Sequence, residues 1–398
     1  MRTPSPSTSL PSLCAALFAA NATSSLAYAQ AALPIYDYTS APPVSPELSV
    51  LSPDPTEAPW FENWDLWMWT DSGQFVTLQF LTSSFGMGIE NQGSARMISV
   101  EPWATNPESD NAPGVHRADR GFNGDRGDWG WDEDAPLNVF FQDCHIRGDG
   151  QTFEIAMRGR DHRLWFEGTF TATAPLWQPG DGLLEYDYSR QMRYSLQVLP
   201  RLHFDGRINV QDGRDAPANW QPVQGVAVLQ HSWTNAFPFS VSQRWSRFRA
   251  IRPDGLTIHF EQMLTPEEFG SVPVSWLLVT YDEEVVFASN DVDFIPLQVT
   301  DRQMGRRHYA VPDTYQIVAS SGTDQVVIEV QSASLVSAED PLRLLDRMLR
   351  AFLSNIMSPF DFELSNRYVA ELTIGGRQIH AEGAGWSSFG FPKGTLDN

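Results

Sequence analysis

Two side chains with chemical capacity stand two residues apart in Gly225–Phe237, Gly-Val-Ala-Val-Leu-Gln-His-Ser-Trp-Thr-Asn-Ala-Phe. Gly225 to Leu229 read as a β-run, and Thr234 and Asn235 supply turn chemistry where that run ends. Residues two apart in a strand share a face, so the imidazole of His231 lies beside the indole of Trp233. An imidazole at a strand end can hold or deprotonate a water, and an indole face can stabilise a cation. The plainer alternative is barrel-end packing, with the histidine hydrogen-bonded and inert.

The elements that must position this pair belong to a chain of 398 residues, 42% hydrophobic, with a formal charge of −22 and a pI near 4.6. That length favours two domains. The acidic balance argues against nucleic acid or an anionic membrane surface, because both need a basic face. Fourteen tryptophans and 24 phenylalanines favour strands and the lining of pockets for apolar ligands. The two cysteines are Cys14 and Cys144, and Cys14 falls in a segment expected to be removed. Cys144 then reads as a small buried hydrophobe, with no Cys/His spacing around it to mark a metal.

Arg2, the apolar run Leu13–Ala20 and the small residues Ala27, Ala29 and Ala31 have the layout of a signal peptide over 1–31. This predicts a secreted or periplasmic protein. No later segment approaches the length of an apolar span, so no integral membrane segment is expected in the mature chain, which reads as a monomer. Residues 32–59, rich in Pro, Ser, Ala and Thr, read as an extended leader. Order begins at Trp60, where a hairpin turns at Asp71-Ser72-Gly73. In its first strand Asp65, Trp67 and Trp69 share one face while Trp64, Leu66 and Met68 share the other, so both faces need cover. Residues 101–136 read as a long irregular insertion; its aspartates lack calcium-loop spacing, and Trp129 and Trp131 offer a lid over a pocket.

Short strands then recur with turn signals about every dozen residues, and the same grammar resumes after Ser242. One helix is predicted over 340–354. Ser337-Ala-Glu-Asp-Pro caps it, and Leu342, Leu345, Leu349 and Phe352 form its stripe. The fold class is all-β: two antiparallel barrels in tandem, 60–238 and 239–398, the second with this helix over its mouth.

These residues resemble the tandem lipocalin-like superfamily of AttH-like proteins, hydroxyneurosporene synthases (carotenoid hydratases), kievitone hydratase and the survival-factor proteins of yeast. The likeness spans about 58–390. It is carried by Glu62-x-Trp64 with its hairpin, by Tyr194-Ser195 with Pro200-Arg201-Leu202, by Gly225-x-Ala-x-Leu-x-His-x-Trp, and by the Asn366-Arg-Tyr hairpin. Most AttH-like members place an aspartate before the histidine, where this chain has Gln230. In the hydratase branch the His-x-Trp pair is joined by a Tyr-x-Asp pair about 27 residues on, and His259-Phe260-Glu261 lies at the matching strand here.

The resemblance implies a protein that binds a hydrophobic isoprenoid, polyene or lipid-like molecule and hydrates a carbon–carbon double bond. That reaction needs a proton donor, a cation-stabilising surface and a held water. Glu261 is assigned the first role, Trp233 with Trp245 the second and His231 the third, with His259 beside them. Trp64, Trp67, Trp69 and Trp245 are expected to line the ligand site. The expected geometry is two barrels stacked end to end, with imidazole, indole and acid converging near the join. No cofactor and no metal are expected, since His231 and His259 lack a third zinc ligand. A lipid carrier without turnover and a polyene cyclase are the alternatives. No nucleophile elbow, phosphate loop or dinucleotide fingerprint is present.

Overall fold

The computed structural model describes residues 35–36, 59–84, 92–101, 114–123, 129–131, 137–159, 164–180, 182–186, 191–211, 218–344, 350, 354 and 357–392. The expected signal peptide lies outside them. The first sheet contains β1 (Ile35–Tyr36), β2 (Trp60–Thr70), β3 (Phe75–Ser84), β4 (Gln92–Val100), β5 (Val115–Asn123), β6 (Trp129–Trp131) and β7 (Leu137–Phe141). It continues through β8 (Cys144–Gly148), β9 (Thr152–Arg158), β10 (Leu164–Ala172), β11 (Leu183–Tyr186), β12 (Met192–Val210) and β13 (Trp220–Thr234). The second is built from β14 (Arg244–Ile251), β15 (Thr257–Leu264), β16 (Pro273–Tyr281), β17 (Glu284–Ser289), β18 (Val292–Met304), β19 (Arg307–Ser321), β20 (Asp324–Glu339), β21 (Phe360–Ile374) and β22 (Arg377–Phe391).

The main path of the first sheet runs β5-β4-β3-β2-β13-β12-β10-β9-β8-β7-β6, and the second runs β17-β16-β15-β14-β22-β21-β20-β19-β18. Each path ends on strands that follow one another in the chain. β17 ends at Ser289 and β18 starts at Val292, so opposite edges of a 9-stranded sheet lie within a short link of each other. Only a curled sheet satisfies that connection. Arg120 of β5 likewise reaches across the first seam to Asp143, and to the carbonyl of Arg158 at 3.2 Å. The architecture is two lipocalin-like β-barrels in tandem, all-β as the strand grammar requires.

Three apolar layers follow from strand alternation. Trp64, Leu66 and Met68 fill the first barrel with Phe80, Phe166 and Leu229, and Phe248, Phe260 and Ile317 fill the second. The opposite faces of the central strands meet between the barrels, where Trp67, Val228 and Tyr194 pack with Trp245, Trp276 and Trp386. The barrels therefore pack wall to wall rather than end to end. β2 is apolar on both faces because one lines a barrel and the other meets its neighbour. Gly225 permits the tightest part of that wall: a Cβ there would lie 2.1 Å from the Trp69 carbonyl oxygen.

Three sequence expectations change. The insertion 101–136 contains β5 and β6, and its polar residues Arg117 and Asp119 face Glu339 and Arg343 of the other barrel instead of solvent. A strand whose polar face meets protein looks like a loop in sequence. Ile35 and Tyr36 of the leader pair with Tyr186 and Glu185. Ser337, read as a helix cap, lies in β20; Asp340 instead accepts the Leu342 amide at 2.9 Å and opens a 3-10 turn over Pro341–Leu344. Residues 345–349 and 351–353 of the predicted helix lie outside the described residues. A separate helical turn spans Pro238–Val241, between the barrels in sequence.

Candidate functional site

The sequence-predicted residues fall into two groups on opposite faces of β13. His231, Trp233 and Trp64 belong to the first barrel's interior and its end. His231 Nε2 lies 2.8 Å from Glu62 Oε1, its ring stacks on Trp64 at 5.0 Å, and Trp233 stacks on Trp60 at 4.8 Å. Glu62 also accepts the indole N–H of Trp60 at 3.3 Å. Glu261, His259, Trp67 and Trp245 lie instead between the barrels, and Trp69 packs edge-on against Phe75 at the border of that layer. The expected convergence of His231, Trp233 and Glu261 does not occur. The reason is the two-residue period of a strand: Gln230, one residue away, takes the face that looks at the second barrel.

On the second barrel, the outward-facing positions form a grid. One row runs Glu363, Ser388, Arg247, Glu261, Trp276 across β21, β22, β14, β15 and β16. The rows beside it run Ser365, Trp386, Arg249, His259, Leu278 and Asp361, Gly390, Trp245, Met263, Val274. On the first barrel a polar stripe of Gln230, Asp65, Gln79, Arg96 and Asp119 crosses five strands to meet them. Burying such groups is tolerable only when they are paired.

Glu261 is fully buried and is held by three groups: Arg247 Nε at 3.2 Å, Arg249 Nη2 at 3.3 Å and the Tyr194 hydroxyl at 3.3 Å. Arg249 also donates to Gln230 Oε1 and lies over the Trp67 ring, 3.8 Å from its centroid. Burial lowers Arg249 to about 10, although Glu261 opposes the shift. Burial would lower Arg247 as well, but Glu261, Tyr194 and Asp65 together push it above the usual guanidinium value. Tyr194 is pushed well above its usual value by burial and by Glu261, so its proton stays on oxygen. His259 is fully buried, and burial followed by Arg249 and Arg247 holds it well below the usual imidazole range. It is a neutral imidazole at pH 7.

The mouth of the layer carries a second set of carboxyls. Glu363 and Asp361 are half-buried on one face of β21. Glu363 accepts the Trp386 indole N–H, and that indole stacks on Phe75 of the first barrel at 3.9 Å. Burial pushes Glu363 up to about 7 despite Arg96, and Asp361 up to about 6 against Arg96 and Arg247. Gly390 makes room for Asp361, since a Cβ there would sit 2.9 Å from Asp361 Oδ1 and 3.6 Å from Trp245. The acid pair is thus flanked by Trp245 and Trp386.

Sequence reasoning missed Arg247, Arg249, Tyr194, Asp65, Asp361 and Glu363 as site residues. One signal existed for the first two. A hairpin turning at Pro253-Asp254-Gly255 places Arg247 opposite Glu261 and Arg249 opposite His259, alternating with apolar Phe248 and Ala250. Elsewhere, a cleft of about 570 Å³ lies on the outer wall of the first barrel. Its arginines are already paired, Arg147 with Glu154 at 2.7 Å, and Arg158 and Arg207 with Glu167 at 2.9 and 2.6 Å. Among the described residues no group of three or more His, Cys, Asp or Glu has the arrangement of a metal site, and no helix is long and apolar enough to cross a membrane.

Fold and site together define a tandem lipocalin-like protein with an ionised, tryptophan-walled layer between its barrels. No family model and no curated protein matches the sequence. Among solved structures, the chain is similar to an AttH-like protein of Nitrosomonas europaea, with TM-score 0.56, 13% identity, and 83% of this chain and 91% of that one covered. It is similar to kievitone hydratase of Nectria haematococca, with TM-score 0.56, 12% identity, and 89% and 95% covered. It is also similar to CghA, with TM-score 0.54, 10% identity, and 89% and 97% covered. At these identities the likeness establishes the shared fold.

Proposed function

We propose that the chain binds a largely apolar small molecule between its barrels and hydrates a carbon–carbon double bond there, with Glu363 as proton donor and Asp361 as base. One observation carries this reading: two neighbouring carboxyls, pushed to about 7 and about 6, stand between Trp245 and Trp386 at the mouth of an apolar layer. Carboxyls pulled apart in this way divide into an acid and a base near neutral pH. Glu363 gives its proton to one alkene carbon, and the cation formed on the other carbon lies against indole faces. Water adds to that carbon and loses a proton to Asp361, and passage of a proton from Asp361 to Glu363 restores the pair.

Glu261, the donor expected from sequence, has both oxygens engaged by Arg247, Arg249 and Tyr194, and it fits the role of holding those groups in place. The hydratase among the similar structures is consistent with this chemistry on this fold. The test is incubation of the purified chain with a panel of isoprenoid alkenes, read by mass spectrometry for the gain of one water. Wild type gains it, Glu363→Gln and Asp361→Asn do not. A ligand that binds unchanged in all three proteins defines a carrier and removes the catalytic reading.

A further inference from the structure

The charged cleft on the outer wall of the first barrel has no part in the proposed reaction, since none of its lining residues belongs to the layer between the barrels. Strand pairing sets its residues in two adjacent rows across β8, β9, β10 and β12. One row is His145, Ala156, Glu167 and Arg207, and the other is Arg147, Glu154, Thr169 and Asp205. Three strand spacings make each row about 14 Å long. Ala156 and Thr169 keep the middle of the rows low. Gly168 and Gly206, which separate the rows, let two strands approach so closely that a Cβ on Gly206 would lie 2.8 Å from the Gly168 Cα. A second hollow of about 530 Å³ shares Arg147, Glu154 and Thr169 with the first, so the depression continues as a groove toward β7.

The cations of this groove are held in fixed planes. Arg207 puts Nε and Nη2 on Glu167 Oε2 at 3.2 and 2.6 Å, and its guanidinium lies over the Trp220 ring at 4.5 Å. Arg158 donates to Glu167 Oε1 at 2.9 Å and lies 5.7 Å from the centre of Trp165. The two indoles lean on each other at 5.7 Å, so each arginine has an aromatic backing. Arg147 puts Nε and Nη2 on Glu154 Oε2 at 3.0 and 2.7 Å. Exposed ion pairs add little to stability, and ordering long side chains costs entropy, so folding alone does not call for this array. Donors and acceptors arranged in advance do lower the cost of binding a ligand.

The balance of groups selects that ligand. Three guanidiniums stand among four carboxylates, those of Asp143, Glu154, Glu167 and Asp205. An anion meets the excess of carboxylates, and a cation meets the guanidiniums. Each arginine keeps N–H donors beyond those already engaged, and the side chains of Asp205 and His145 have no hydrogen-bond partner among the described residues. A hydroxyl group donates and accepts at once, so an uncharged molecule bearing many of them answers both sets. The geometry points to a neutral oligosaccharide as the ligand of this outer groove, with Asp205 and Arg207 as its principal contacts.

The test presents the full chain to an array of cellohexaose, maltohexaose, mannohexaose, chitohexaose and hexagalacturonate, and repeats the measurement by isothermal titration in solution. At least one of the four neutral sugars binds about tenfold or more tightly than the charged hexagalacturonate, which places carboxylates against carboxylates. Asp205→Ala and Arg207→Ala each weaken that binding about tenfold or more, since each removes a partner from hydroxyls already stripped of water. Arg207→Lys, which keeps the charge but neither the fork nor the stacking on Trp220, does not restore it. Thermal melts establish that each variant is folded. Binding in both formats marks a free oligosaccharide as the ligand, binding on the array alone marks a glycan displayed at a surface, and either supports the site. Tightest binding of hexagalacturonate, a neutral sugar indifferent to both alanine substitutions, or no binding by any of the five overturns the inference. The hydratase reading is untouched by any of these results, because the groove and the layer share no residue.

Discussion

Glu363→Gln separates a functional acid from an ordinary surface glutamate through stability alone, without any substrate. The folded chain holds the Glu363 carboxyl at about 7 against 4.5 for an unperturbed glutamate. A raised carboxyl stabilises the fold fully below the unfolded value and loses that contribution as pH rises through the folded one. The ceiling is about 3 kcal/mol, from 1.36 kcal/mol per pH unit over the interval. Glu363 is half-buried, so solvent screening reduces the expected loss to about 2 kcal/mol between pH 4 and pH 8. The glutamine side chain of the variant has no proton to lose and keeps the Trp386 contact as an acceptor through its carbonyl oxygen. Urea unfolding of both proteins at pH 4, 6 and 8 gives the comparison. The variant gains on the wild type by about 2 kcal/mol as pH rises, mostly between pH 5 and 7. Parallel curves for the two proteins would show that the layer does not hold Glu363 protonated, and the proton-donor role would go with it.

Three further outcomes follow from the same geometry. With Asp361 required as a base and Glu363 as an acid, kcat/KM for hydration peaks between the values of about 6 and about 7 and falls on both sides; a rate that rises steadily to pH 9 contradicts the pairing. Glu261→Gln leaves Arg247 and Arg249 buried without their counter-charge and costs about 3 kcal/mol in urea unfolding, whereas a cost below about 1 kcal/mol would mean that the cluster is solvated. Gly225→Ala drives a methyl into the Trp69 carbonyl, so the β2–β13 wall must shift; a melting temperature within a few degrees of wild type would show that the wall is looser than described.

The all-β class and the tandem barrels were legible because alternation and turn chemistry are local. Asp71-Ser72-Gly73 and Pro253-Asp254-Gly255 mark hairpins, and the two apolar faces of Trp60–Thr70 announced an element covered on both sides. What covered the outer face was not legible. Arg247 and Arg249, alternating with Phe248 and Ala250, read like the solvated side of a strand, and only the first barrel's position shows that they are enclosed. The same limit hid β5, whose Arg117 and Asp119 reach partners more than two hundred residues away. His231 and Glu261 were grouped from a motif spacing that carries no information about which face of β13 looks where. One residue of register decides that, and it set Gln230, a departure from the motif, at the centre of the layer.

The composition of that layer is itself an argument for function. The row of the first barrel beside the polar stripe runs Val228, Trp67, Thr77, Ile98 and Arg117, so much of the contact between these sheets is already apolar. Replacing buried ion pairs by hydrophobic residues of similar volume is commonly neutral or stabilising. Holding two barrels together therefore does not call for Asp65, Arg96, Arg247, Arg249 and Glu261, nor for a histidine whose two nitrogens are unpaired. Ion pairs such as Arg96 with Glu339 at 2.7 Å fix how one wall lies on the other, and that alignment sets Phe75 on Trp386 and Tyr194 on Glu261. Adhesion accounts for the paired charges as alignment, but it does not account for a buried His259 and a Gln230 Nε2 without hydrogen-bond partners.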